Sequence, residues 1–146
     1  MNLIDEIENV FLLSDEAEKE NIIGKIGDLF ECENLDRNEV IEGVNLLLSH
    51  VVHEKNGSLK ESMLYSVNNA IVYKNVAGDV LLDVLLPYYS SFEEEDLSYV
   101  LSFFGFSGDR KYLAILKSYL NHSNIEIQEA AQEAITEIEF RSSKKK

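Results

Sequence analysis

GDVLLDVLLPYY at residues 78–89 and GDRKYLAILKSY at residues 108–119 are one pattern written twice. At a shift of 30 residues Gly78-Asp79 falls on Gly108-Asp109, Leu82 on Tyr112, Leu85 on Ile115, Leu86 on Leu116 and Tyr89 on Tyr119. Working outward, the same shift lays Val67 on Leu97 and then Ile127, Ala70 on Val100 and Ala130, and Ile71 on Leu101 and Ala131. Shared helical periodicity aligns apolar residues by chance, but it rarely aligns a Gly-Asp turn as well. The chain is therefore expected to be an internal repeat, each unit a pair of helices that buries its apolar face against its neighbours.

Apolar residues recur at helical spacing almost throughout, and no sustained alternation points to a sheet. The expected class is all-α, with eight helices in four antiparallel pairs at about 2–12, 15–31, 37–53, 58–74, 79–90, 92–105, 109–121 and 124–140. Ser14, Asp36, Ser58 and Asp109 are expected to cap helix starts by accepting from first-turn amides, and Ser91 to do so near the sixth start. Asn56-Gly57, Gly78, Gly105 through Gly108 and Asn121 through Asn124 mark short turns, which make successive helices antiparallel. Pro87 would clash with the carbonyl of Asp83, so the fifth helix is expected to kink or end there.

The segment from Gly108-Asp109 through Tyr119-Leu120, the turn Asn121-His122-Ser123-Asn124, and then Ile127, Ala130-Ala131 and Ala134-Ile135 resembles a HEAT repeat. That family has a first helix starting at Asp, an Asn/Pro turn and a second helix with paired alanines. Here Asn124 and Ile127-Gln128 replace the usual turn proline and Val-Arg start. The resemblance implies a short HEAT-like α-solenoid, clear over residues 58–140 and degenerate or capping over 1–57. Residues 1–140 are expected to form one domain, and the basic stretch 141–146 a disordered tail.

At 146 residues, the chain is long enough to bury roughly two-thirds of its unfolded surface. Its 27 acidic and 13 basic residues give a net charge of −14, a field that repels nucleic acid and anionic lipid and attracts basic partners. No apolar run approaches the ~20 residues of a membrane span. The first residues lack a signal-peptide pattern, and the single cysteine, Cys32, suits a reducing compartment, so the expected location is the cytoplasm.

Charge is unevenly placed. Residues 1–36 hold 11 acids and two lysines, a net of −9, against −2 for residues 37–92 and −3 for residues 93–146. This acidic pole, with Asp15, Glu16 and Glu20, is a candidate binding region as well as a solvated cap. Glu126, Glu129, Glu133 and Glu137 form one stripe on the last helix, opposite Ile127, Ala131, Ile135 and Ile138. Repeat register sets Glu129 beside Tyr99 and Asn69, and Glu95 beside Tyr65, an acidic surface interleaved with tyrosines. Tyrosine suits an interface because it buries a large ring and keeps a polar tip.

Other constellations read as structural. Glu93-Glu94-Glu95-Asp96 occupy a helix first turn, where the macrodipole favours anions. His50 and His53, three apart, are not completed into a metal site by any motif, and His122 belongs to a turn. Cys32 has no basic neighbour in sequence to stabilise a thiolate. Gly105-Phe106-Ser107-Gly108 lacks the Gly-Lys-Ser/Thr ending of a phosphate loop and reads as an interhelix turn. Neither catalysis nor a cofactor is expected.

A small acidic helical repeat of this kind resembles the immunity proteins of bacterial polymorphic toxin and contact-dependent inhibition systems, several of which are HEAT-like. The resemblance implies a monomer that forms a heterodimer with one toxin domain and blocks its active site or substrate groove. The toxin would be basic and nuclease-like, with an EndoU-like RNase as one example. An acidic inhibitor suits such a target because a nuclease must be basic to hold its polyanion. An adaptor for a housekeeping protein is the alternative. A DNA mimic fits less well, because the middle of the chain carries only −2; a lyase of the HEAT-like phycobilin type fits least.

Overall fold

The computed structural model describes residues 3–32 and 34–144. Side chains that satisfy first-turn amides set several helix starts. Asp15 Oδ1 accepts from the amides of Ala17 and Glu18 at 2.9 and 3.2 Å and opens α2, Glu16–Leu29. Asn56 Oδ1 accepts from Leu59 at 3.0 Å and opens α4, Gly57–Lys74. Asp109 accepts from Lys111 at 3.0 Å and opens a 3₁₀ turn, Arg110–Tyr112, that leads into α6, Leu113–Lys117. Two of these caps differ from the expected Ser14 and Ser58, in each case because the neighbouring Asx carbonyl oxygen reaches the amides. Asp36 precedes α3, Arg37–Val51, without a side-chain cap bond, and Ser91 donates back to the Tyr88 carbonyl. Glu93 precedes α5, Glu94–Ser107; α1 spans Leu3–Val10 and α7 spans Ile125–Lys144.

The fold is all-α, and no strand occurs among the described residues. Those residues form seven α-helices where eight were expected. The expected fifth helix is replaced by two 3₁₀ segments, Leu82–Leu85 and Tyr89–Ser91. Pro87 is the cause: it has no N–H to offer the Asp83 carbonyl, which accepts from Leu86 at 3.0 Å instead. The last helix differs in the other direction. It runs past residue 140 through Arg141 to Lys144, into the stretch expected to be disordered. Arg141 holds it down, donating to Glu137 at 2.7 Å and to Asn75 Oδ1 at 2.8 Å, with its guanidinium over the Phe106 ring.

Packing runs in two rows. In one, α2 packs on α4, α4 on α5 and α5 on α7; in the other, α1 packs on α3 and α3 on the Leu82–Leu85 turn. Across the rows α1 packs on α2, α3 on α4 and the Leu82–Leu85 turn on α5, and α6 packs on α7. The shared interior is one apolar cluster reaching from Leu3 to Ile138. The repeat positions are buried as a set: Val67, Leu97 and Ile127, and likewise Ile71, Leu101 and Ala131. Tyr89 and Tyr119, aligned by the shift of 30, meet edge to face with ring centroids 6.3 Å apart.

The aligned Gly-Asp turns do different work. Gly108 takes φ +70 and caps α5 in the left-handed region, whereas α4 ends three residues earlier in register at Asn75, φ 52. Asp79 therefore pairs with Arg37 at 2.5 Å, while Asp109 caps a helix.

Two crossings in the α2–α4–α5–α7 row are closer than a side chain would allow. A Cβ on Gly105 would lie 2.6 Å from the Ala134 Cα, and one on Gly27 would lie 2.7 Å from the Ser66 Oγ. Gly105→Ala is expected to force α5 from α7 and cost about 1–3 kcal/mol. Gly24, with nothing within 4 Å of an added Cβ, is the control: Gly24→Ala should stabilise α2 by up to about 1 kcal/mol. Urea melts of both variants check the contrast, and equal destabilisation would remove the close-approach argument.

Candidate partner-binding surface

Apart from the buried Asn69, the expected surface residues lie on or at the start of α2, α4, α5 and α7. Tyr65 and Glu95 are exposed, and Tyr99 is half-buried with its ring 6.4 Å from that of Phe103. Glu126, Glu129 and Glu133 are exposed along α7, where Glu137 is half-buried and held by Arg141. Because α4 and α5 are neighbours, Tyr65 and Tyr99 line one groove of about 300 Å³ together with Glu20, Ser58, Glu61 and Ser62. A second groove, about 410 Å³, continues the surface between α5 and α7 past Ser102, Phe106, Gln132 and Glu133.

The acidic pole is not separate from this surface. Glu20, from α2, accepts hydrogen bonds from Ser58 Oγ at 2.7 Å and Ser62 Oγ at 3.3 Å, which draws it to the floor beside Tyr65. Asp15 spends its carboxylate on the α2 cap, and Glu16 lies 3.6 Å from Lys19 Nζ while remaining exposed. Asn69 departs from expectation. It is 6% exposed and its Nδ2 donates to Glu31 Oε2 at 3.1 Å and to the Gly27 carbonyl at 3.4 Å. The reason is the close α2–α4 crossing, which places a main-chain acceptor directly over it.

Three groups missed in the sequence line the groove, Glu61, Ser62 and Gly24, and Asp96, read there as helix-start chemistry, is buried nearby. Ser58, Ser62 and Tyr65 share one helical stripe, so the α4 side was legible from spacing. The α2 side was not, since only packing brings Glu20 and Gly24 there. Asp96 is the clearest surprise. Glu93, Glu94 and Glu95 face solvent as a helix first turn permits, but Asp96 is only 5% exposed. Burial raises its pKa above the ordinary carboxylate value, and nearby Glu61 adds to the shift while Lys60 opposes it. The Tyr99 hydroxyl is also pushed up, first by burial and then by Glu61.

The remaining singled-out residues have identifiable local work. His50 stacks on Phe11 with centroids 3.7 Å apart, and His53 meets Tyr88 edge-on, so the two imidazoles engage different elements. Among the described residues no group of three or more His, Cys, Asp or Glu is placed to hold a metal ion. His122 Nδ1 accepts from the Asn124 amide at 3.0 Å. Cys32 has a cationic neighbour after all, since Lys74 Nζ donates to its main-chain carbonyl. Gly105 through Ser107 belong to α5, so the expected turn begins only at Gly108. No described helix is long and apolar enough to cross a membrane.

Compared with known protein families and with curated proteins, the chain matches none.

The Asp96 environment has a measurable consequence. Its carboxyl is shifted upward in the folded state, so its contribution to stability is present below the unfolded value near 3.8 and is lost as pH rises through the folded value. At neutral pH the ionised group is a cost. Asp96→Asn should raise the thermal midpoint at pH 7, and the gain should shrink by about pH 3. Melting curves of both proteins at the two pH values test this, and a lower midpoint at pH 7 would count against it.

Proposed function

We propose that this chain is a HEAT-like α-solenoid that neutralises a basic protein toxin domain in the cytoplasm, as an immunity protein does. The observation that carries the reading is the groove in which Glu20 of α2, Glu61 and Tyr65 of α4 and Tyr99 of α5 come together, with Glu95 and Glu129 exposed on α5 and α7. Two packed rows of helices with the 30-residue sequence register support the solenoid. The charge supports the partner chemistry. An inhibitor carrying −14 overall is steered onto a cationic substrate groove before it docks.

The tyrosines would supply the desolvated anchors, and the carboxylates would set orientation and encounter rate. Glu20 is suited to anchoring because Ser58 and Ser62 fix its rotamer before a partner arrives. A basic nuclease-like domain fits best, since its substrate groove is complementary in charge to this surface.

A pull-down against the product of the adjacent gene tests the partner, and co-expression tests neutralisation. Rescue of cells from that product is expected; binding without rescue would favour an adaptor, and no binding would sink the reading. In the complex, Tyr65→Ala and Tyr99→Ala should each weaken affinity about tenfold or more. Glu129→Lys should slow association with little change in dissociation, an effect that fades at high salt. Stopped-flow measurements separate the two rates.

A further inference from the structure

α2 carries a second exposed stripe on a neighbouring face. Ala17, Asn21, Gly24 and Asp28 turn toward the Tyr65 surface, Glu18, Ile22 and Leu29 turn toward α1, and Lys25 stands between the two faces. Between α1 and α2 lies an open, mostly apolar groove of about 370 Å³. Its floor is Val10 and Ile26, both buried, and its walls are Leu13, Ile22 and Leu29. Leu29 is 39% exposed, and the adjacent Leu12 is 83% exposed. Ile26 and Leu29 follow Ile22 at four and seven residues, so the three make a track that runs along the helix. An apolar track of this kind is costly to leave in water.

Charge selects what would cover it. Glu6 and Glu18 stand on the rim with a single cation, Lys25, and the surrounding residues 1–36 carry a net of −9. A second copy of this chain would bring two such poles together in the same contact. A cationic partner would relieve the repulsion within one. We propose that the α1–α2 groove receives an amphipathic helix of a partner protein, with Leu-type side chains in the track and Lys or Arg flanking them against the acidic rim. The apolar anchors would sit between two antiparallel helices as a third helix does in a groove. This groove shares only Lys25 with the Tyr65 side and extends recognition to a neighbouring face of α2.

The probe is a synthetic helical peptide with leucines on one face and lysines on the other. One control replaces the leucines with alanines, and the other replaces the lysines with glutamates. Titrated into the ¹⁵N-labelled full chain, the Leu/Lys peptide should move the amides of Leu13, Ile22 and Leu29, with both controls binding about tenfold more weakly or worse. Leu29→Ser and the exposed-rim variant Glu18→Lys should each weaken the same peptide, while Tyr65→Ala and Tyr99→Ala leave it unchanged. The second variant keeps the test valid if the first lowers stability. Equal binding by the alanine control, shifts centred on Tyr65 and Tyr99, or absence of binding would overturn the proposal. So would a concentration-dependent dimer that Leu29→Ser dissolves. Because the tyrosine variants report on the other surface, failure here and failure of the immunity reading are distinguishable.

Discussion

Close approach of main chains in the α2–α4–α5–α7 row is the constraint on which the rest of the structure depends. At Gly27 against Ser66 and Gly105 against Ala134, no Cβ fits between the helices. Contact at that range lets polar side chains reach main-chain acceptors on the neighbouring helix. Ser66 Oγ donates to the Ile23 carbonyl at 2.8 Å, and Asn69 reaches the Gly27 carbonyl. A net hydrogen bond of this type contributes about 1 kcal/mol, but leaving its buried partner unmade costs more. The crossings therefore fix register as well as distance.

That register determines what the outside of the row presents. Once α2 and α4 are locked, Glu20 falls within reach of Ser58 and Ser62, and Tyr65 rises beside it. Once α4 and α5 are neighbours, Tyr99 completes the same groove. A buried Asp96 beside Glu61 is unfavourable when ionised, whereas burial and Glu61 simply keep the Tyr99 hydroxyl protonated. A neighbouring face of α2 carries the contrasting chemistry, an apolar track within an acidic rim.

The other row is less regular and is held by straps. Tyr112 donates to Asp83 at 2.5 Å and Lys111 to the same carboxylate at 2.9 Å. Burial and the Asp83 bond hold the Tyr112 hydroxyl protonated far above its ordinary range. Phe104 stacks on Tyr112 with centroids 4.3 Å apart. These contacts replace the helical packing that Pro87 prevents, so a broken element still keeps its place between α3 and α5.

Local chemistry and periodicity were enough to determine the all-α class, the 30-residue register and a break at Pro87, though not the start of the turn after α5. Each depends on near neighbours in sequence: the helical repeat of apolar residues and a missing proline N–H. The acidic bias was equally plain, because charge is additive and needs no geometry. Tertiary structure alone decided which members of those patterns face outward. Asn69 and Glu20 are both polar residues on helical stripes, yet one is buried by a glycine-permitted crossing and the other is pinned at a groove. Asp79 and Asp109 are aligned in sequence but diverge in role, because α4 stops at Asn75 while α5 continues to Gly108. The physical reason is that a side chain's exposure depends on which helix approaches it and how closely. Those distances are set by small residues elsewhere in the chain.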